Sequence, residues 1–327
     1  MPVERGASPR THATPLIVTA GLTPAWQRIG VLDRLVLGEV NRLKEVYPCA
    51  SGKPVNAGLA LHHLGARATT VIPLGGATGD LVEAELRELG MGYRRVDAAG
   101  LTRVCSTYVD RSSASPTEVV EDAEPLSAAE VDAFAAAYRA TVASADVVVL
   151  TGSMPRGSQP ELYRDLIAGS PCPVILDARG PELLMALESS PLIVKPNRPE
   201  LAQTLGRALQ TDGALVDAME ELVRRGARWV VVSDGPAPVF VVGESRRYRV
   251  HPPAVRVANP IASGDCLAAG LAWALAGGLT MTKALCLGVA AATANAMHLL
   301  PGRLDRALVE DMARSIRVDE RLGQGHE

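Results

Sequence analysis

The chain has 327 residues, 47% of them apolar and 21% charged, the proportions of a globular protein and not of a disordered, collagen-like or membrane chain. With 33 Lys and Arg against 36 Asp and Glu, the net charge of −3 provides no global positive field to gather nucleic acid or an anionic bilayer, so any bound anion needs a local site. The longest apolar stretches, 267–279 and 286–300, are broken by Gly277-Gly278 and by Thr293, Asn295 and His298, and neither offers the ~20 uninterrupted residues of a membrane span. They read as buried helices. Residues 1–15 lack a signal-peptide h-region, and the five cysteines contain no C-x-x-C pair, so the expectation is a cytoplasmic protein with buried thiols.

In chain order, an apolar strand at 16–20 is followed by the region 27–47, whose strand-like pieces at 29–32 and 42–46 have no helix between them. A helix at 55–64 follows, in which the adjacent His62 and His63 diverge too far to share a metal. A strand at 69–74 and a helix at 81–89 lead to a second helix-poor region, 93–121, with strand-like pieces at 104–109 and 117–120. Helices at 128–142, 160–167 and 216–224 then alternate with short apolar strands at 147–150, 174–176, 192–194 and 229–232. Such strands, joined by helices, predict a three-layer α/β domain around a largely parallel sheet. The regions 27–47 and 93–121 predict a small antiparallel sheet, a lid donated by two insertions. Residues 239–250 read as a hairpin with Gly243 in its turn, and the end of the chain reads as helical. The domain is expected to span 15–321, with frayed ends at 1–14 and 322–327.

Three segments carry candidate chemistry. In Asn259-Pro260-Ile261-Ala262-Ser263-Gly264-Asp265, small residues at a loop-to-helix junction let backbone N–H groups converge, and the helix N-terminus adds partial positive charge. Asp265 places a carboxylate beside that anion hole, as a base would stand that takes the proton of an attacking hydroxyl in phosphoryl transfer. Helix capping by Ser263 or Asp265 is the plainer alternative. Lys195-Pro196-Asn197-Arg198-Pro199-Glu200 sets two hard oxygen donors, Asn197 and Glu200, three residues apart, a spacing that can hold a hydrated Mg²⁺ through water or form a capping box. Cys49-Ala50-Ser51-Gly52-Lys53-Pro54-Val55-Asn56-Ala57-Gly58 opens a helix where Lys53 suits an anionic substrate and Asn56 sugar hydroxyls, unless Lys53 is merely solvated. The Walker A spacing is absent, as is a G-x-G-x-x-G after the first strand.

These segments in this order, with Thr151-Gly152-Ser153-Met154-Pro155 and Ser233-Asp234-Gly235, resemble the ribokinase-like PfkB carbohydrate kinases, and within them the 1-phosphofructokinase and tagatose-6-phosphate kinase branch. The resemblance covers about 17–299 and includes Gly38-Glu39-Val40-Asn41-Arg42, Gly75-Gly76, Thr102-Arg103 and Thr117-Glu118. It implies a ribokinase-like domain with a β-sheet lid, ATP and Mg²⁺ as cofactors, a sugar or sugar phosphate as the small-molecule partner, and a homodimer through the lid. Residue by residue, it implies that Ala262, Ser263 and Gly264 form the anion hole and Asp265 the base. Lys195, Ser233 and Gly235 border the nucleotide, with Asn197 and Glu200 ordering the metal. Gly52, Lys53 and Asn56 hold the sugar, and Arg103 meets the phosphate that the acceptor already carries.

The departures bear on the acceptor. Where these kinases have Asn-Pro-Ala-x-Asp, this chain has Thr23-Pro24-Ala25-Trp26-Gln27, so Gln27 replaces a sugar-reading aspartate and loses a charge-assisted bond of roughly 1–2 kcal/mol. Ser51 and Pro54 replace two glycines of the sugar loop, and Ala262 replaces the first glycine of the anion hole, tolerable only at negative φ. The leading reading is ATP-dependent phosphoryl transfer to a hydroxyl of a sugar phosphate, since Lys53 and Arg103 together suit a phosphate. The alternatives are a kinase of a non-phosphorylated sugar or nucleoside, a non-catalytic sugar-phosphate sensor and, most remotely, a dehydrogenase.

Overall fold

A computed structural model of the chain describes residues 14–112 and 116–322. The frayed ends expected from the sequence lie, apart from Thr14 and Leu322, outside the described residues. The chain begins with β1 (Leu16–Ala20), β2 (Ala25–Leu32), β3 (Glu45–Ser51), α1 (Lys53–His63), β4 (Arg67–Leu74) and α2 (Gly76–Glu88). Next come β5 (Tyr93–Asp97), β6 (Val104–Asp110), β7 (Thr117–Val120), α3 (Ala128–Val142), β8 (Val147–Thr151), α4 (Leu162–Ala168) and β9 (Val174–Asp177). They are followed by α5 (Gly180–Ala186), β10 (Ile193–Val194), α6 (Arg198–Leu205), α7 (Asp212–Arg224), β11 (Trp229–Val232), β12 (Val239–Gly243) and β13 (Arg246–His251). The chain closes with α8 (Ser263–Ala276), α9 (Met281–Ala296), α10 (Arg306–Ser315) and β14 (Arg317–Leu322).

A 10-stranded sheet runs in the order β14-β13-β12-β11-β10-β9-β8-β1-β4-β5, parallel from β11 to β5 and antiparallel beyond. Adjacent residues of its central strands face opposite layers. Val18, Val148, Leu176 and Val232 pack on Phe134 and Tyr138 of α3 and on Leu215 and Leu222 of α7, whereas Ile17, Val149, Ile175 and Val231 pack on α8 and α9. Burial on both faces explains why these strands read as continuous apolar runs. α8 is apolar nearly all round because it lies between this sheet and α9. Among the described residues no helix is long and apolar enough to cross a membrane.

β1 pairs with β4 on one side and β8 on the other, so the chain winds away from it in both directions. In a parallel sheet such a reversal opens a crevice at the carboxyl ends of the strands. Over that end stands a separate sheet in the order β3-β2-β6-β7, seated on a cluster of Ala50, Val55, Leu59, Ile72 and Leu86 with Trp26 against it.

Four expectations need correction. Tyr93–Asp97 belongs to the large sheet, paired in parallel with β4. As an edge strand it keeps polar residues outward, and so it reads like part of the insertion. Second, β2 and β6 pair in parallel, because both leave the carboxyl ends of parallel strands and run the same way. Third, Gly243 ends β12 opposite Trp229 and does not sit in the turn; a Cβ there would meet the indole at 2.6 Å. Fourth, the described chain ends in a strand and not a helix, since the mostly charged Arg317–Leu322 segment pairs with β13. All five cysteines are free, with Cys49, Cys105 and Cys266 buried and Cys172 and Cys286 half-buried.

Candidate functional site

The predicted residues of the large domain converge on the crevice. β9 ends in Asp177, which is 1% exposed and sits between two lysines, 3.2 Å from Lys53 Nζ and 3.2 Å from Lys195 Nζ. Burial alone would raise its carboxyl; Lys195 and Lys53 outweigh that and hold it below the usual carboxylate range. Lys53, the first residue of α1, also lies 3.5 Å from Glu200 Oε1. Burial works to neutralise this ammonium, but Asp177, Glu200 and Asp265 hold it above the ordinary lysine range. Gly52 makes the entry to α1 possible at φ 91, where a Cβ would lie 2.6 Å from the Thr23 carbonyl.

Asp265 lies in the first turn of α8 and is 4% exposed. Its Oδ2 accepts a bond of 2.8 Å from Asn56 Nδ2, and Asn56 Oδ1 accepts one of 3.1 Å from Ser51 Oγ, so a hydrogen-bonded chain joins the 51–56 loop to this carboxylate. Burial pushes the Asp265 carboxyl up to about 7 against the pull of Lys53, with Asp177 adding to the rise. The preceding turn offers donors: among the described residues no acceptor takes the N–H groups of Ala262, Gly264 and Asp265. Ser263 N–H donates to Pro260 O at 3.1 Å, and Cys266 N–H to Ala262 O at 2.9 Å. A Cβ on Gly264 would lie 3.3 Å from Lys195 Nζ, so that ammonium stands over the turn. Ala262 has φ 68 and ψ 4. The expectation of negative φ is therefore overturned: the turn needs the left-handed geometry, and the alanine adopts it under strain.

Asn197 and Glu200 form a reciprocal capping box at the start of α6. Asn197 Oδ1 accepts from Glu200 N at 2.8 Å, and Glu200 Oε2 from Asn197 N at 2.9 Å. Glu200 Oε1 remains outside the box and faces Lys53, which suits a metal held through water beside a phosphate better than one ligated directly. Among the described residues no three His, Cys, Asp or Glu side chains cluster to hold a metal by themselves. Ser233 O accepts from Arg198 N at 2.9 Å, which ties the 233–235 loop to α6, and Gly235 at φ 55 has open space where a Cβ would stand. Free N–H groups, a buried ammonium and an open glycine together fit a nucleotide triphosphate tail.

Gln27 and Arg103 bond elsewhere. Buried Gln27 on β2 donates to Thr107 Oγ1 of β6. Arg103 Nη1 donates to Glu121 O at 3.1 Å and Nη2 to Thr23 O at 3.3 Å, while its buried Nε has no partner among the described residues. The sequence reading missed Asp177; the available signal was an apolar strand, Val174-Ile175-Leu176, ending in a carboxylate at the mouth of the crevice.

The sequence pattern described as pfkB family carbohydrate kinase matches residues 15–301. Among solved structures, phosphofructokinase-2 from Escherichia coli is similar with a TM-score of 0.84 at 25% identity, over 92% of this chain and 99% of that one. A possible 1-phosphofructokinase from Thermotoga maritima gives 0.85 at 21% identity, over 94% and 99%. Ribokinase from Thermotoga maritima gives 0.75 at 20%, over 91% and 99%. The two Thermotoga structures speak for the fold alone.

Proposed function

The chain belongs to the pfkB family of carbohydrate kinases, and on that premise we propose that it transfers the γ-phosphoryl group of ATP to a hydroxyl of a sugar phosphate, with Asp265 as general base. The observation that carries this reading is one buried carboxylate, oriented by Asn56, at the edge of a turn with three free N–H groups. Asp265 takes the proton of the acceptor hydroxyl as that oxygen attacks phosphorus, and its raised carboxyl makes it a competent base near neutral pH. The N–H groups of Ala262, Gly264 and Asp265 meet the charge that spreads over the transferred group, joined by Lys195. Ser233 and Gly235 border the nucleotide. Glu200, held by Asn197, would order the water shell of a bound Mg²⁺, which would supply charge neutralisation at the phosphates.

Gly52, Asn56 and Gln27 face the sugar, and Lys53 and Arg103 grip the phosphate it already carries. Support comes from Arg103 Nε, a buried donor with no partner, and from phosphofructokinase-2 of Escherichia coli, whose structure is described in complex with fructose-6-phosphate. The small sheet closes as a lid that excludes water. It pairs with a second copy through its exposed Val119 and Val120. The second reading, a non-phosphorylated acceptor, draws on the engagement of Lys53 by Asp177 and Glu200, which leaves less of its charge for a sugar phosphate.

A coupled ADP-release screen over sugars and their monophosphates decides between them. The expected outcome is a hexose monophosphate as best acceptor. A neutral sugar turned over faster than every phosphorylated one would select the second reading.

A further inference from the structure

Asn295 lies in the last turn of α9 with no solvent exposure. A buried amide in an apolar helix is tolerated when its polar atoms are satisfied, and here each is. Nδ2 donates to Ile261 O at 2.7 Å and to Ser263 Oγ at 3.1 Å, and Oδ1 accepts from Gly302 N at 2.9 Å. These partners fix the amide orientation, because reversal would face donor with donor at Gly302 and acceptor with acceptor at Ile261.

The contacts fall on both sides of Ala262, the strained residue of the turn. The Ile261–Ala262 peptide is trans, so its C=O and N–H point in opposite directions. Anchoring the Ile261 carbonyl on Asn295 turns the Ala262 N–H away from it, to where no acceptor among the described residues takes it up. A left-handed alanine has an intrinsic tendency to relax, and relaxation would rotate that N–H off its aim. The other end of the brace is shared. Gly302 precedes Arg303, which pairs with Glu85, and Glu85 accepts from Ala50 N beside the sugar loop.

We propose that Asn295 is a positioning residue for phosphoryl transfer, holding the Ile261–Ala262 peptide in the orientation that presents the Ala262 N–H to the transferred group. This rests on the reading of the 262–265 turn given above. Asn295 touches no reacting atom and acts through the backbone it clamps.

The test uses the full chain, its best acceptor and ATP, with Asn295→Asp and Asn295→Ala. Asp is isosteric and keeps the acceptor for Gly302 but loses both donors. The expected result is a kcat lowered about 10- to 100-fold with both KM values within about threefold, since a donor aimed at developing charge acts chiefly in the transition state. Thermal unfolding, measured on each variant, scores folding separately. Adding Ala262→Gly to Asn295→Ala should recover at least about threefold in kcat, because glycine holds φ 68 without support. Folded Asn295 variants with kcat within about threefold of the natural chain would overturn the proposal. So would a fall in kcat matched by a rise in KM and not relieved by the glycine. Asp265→Asn runs alongside: if it keeps a tenth or more of the rate, the reading of the turn fails, whereas if it is silent and the Asn295 variants are not impaired, only this inference fails.

Discussion

The two sides of the crevice are built differently. On the side proposed to hold the nucleotide phosphates, Asp177, Lys195 and Asp265 are 1%, 3% and 4% exposed, and they project from strand ends and helix first turns of the large sheet domain. On the acceptor side, β7 is exposed along its whole length, and Arg103 is tied to two backbone carbonyls with one buried N–H left over. The chemistry of transfer is the same for every acceptor, and its groups cannot shift without unpacking the core. Of the groups proposed to read the acceptor, Gln27 lies on β2 of the small sheet and Arg103 just before β6, while Lys53 and Asn56 lie on α1, so the acceptor side joins a small sheet to the large domain.

Asp265→Asn is the sharpest test of the rigid side. It should lower kcat by at least ~10²-fold while fold and nucleotide affinity stay largely intact, read by steady-state kinetics and ATP titration. The same residue sets a pH limb. Its folded carboxyl is raised from 3.8 to about 7, so kcat/KM should rise with pH through about 7 and then level off. The linked contribution to stability has the opposite slope, full below 3.8 and lost as pH climbs through about 7. A flat rate profile between pH 5 and 8 would remove Asp265 from the base role.

The looser side should answer in binding. Arg103→Ala is expected to raise the acceptor KM roughly ten- to a hundred-fold and leave the ATP KM in place; a change confined to ATP would break the division between the two sides. Glu200→Gln probes the seam. Glutamine can complete the capping box, so stability should hardly move, while the Mg²⁺ needed for half-maximal rate should rise severalfold. The smallest effect belongs to Ala262→Gly, which removes left-handed strain and should raise stability by about 0.5–1 kcal/mol in urea melts.

What could be read from the sequence follows the range of the interactions. The 259–265 loop-to-helix junction, the Asn197–Glu200 box and the apolar strands are local, each written within a few residues, so each can be located from its own segment. Asp177 is joined to Lys53 across 124 positions, and no window of sequence holds both. The left-handed Ala262 escaped because an alanine by itself prefers negative φ, and it is the surroundings that hold it at φ 68. Tyr93–Asp97 and Arg317–Leu322 escaped for one shared reason: edge strands rich in charged residues read like exposed structure.

The free cysteines have a practical consequence. Burial pushes the thiols of Cys49 and Cys172 up to about 12 and about 11, and raises those of Cys105, Cys266 and Cys286 as well. The thiolate is the form that adds to a maleimide or displaces iodide from an iodoacetamide, so at neutral pH all five react slowly. A single cysteine introduced at Leu37, which is 89% exposed on the loop between β2 and β3, could therefore carry a fluorophore in the otherwise natural chain. The dye would test the closure proposed for the small sheet in real time, with no need to strip the native thiols first.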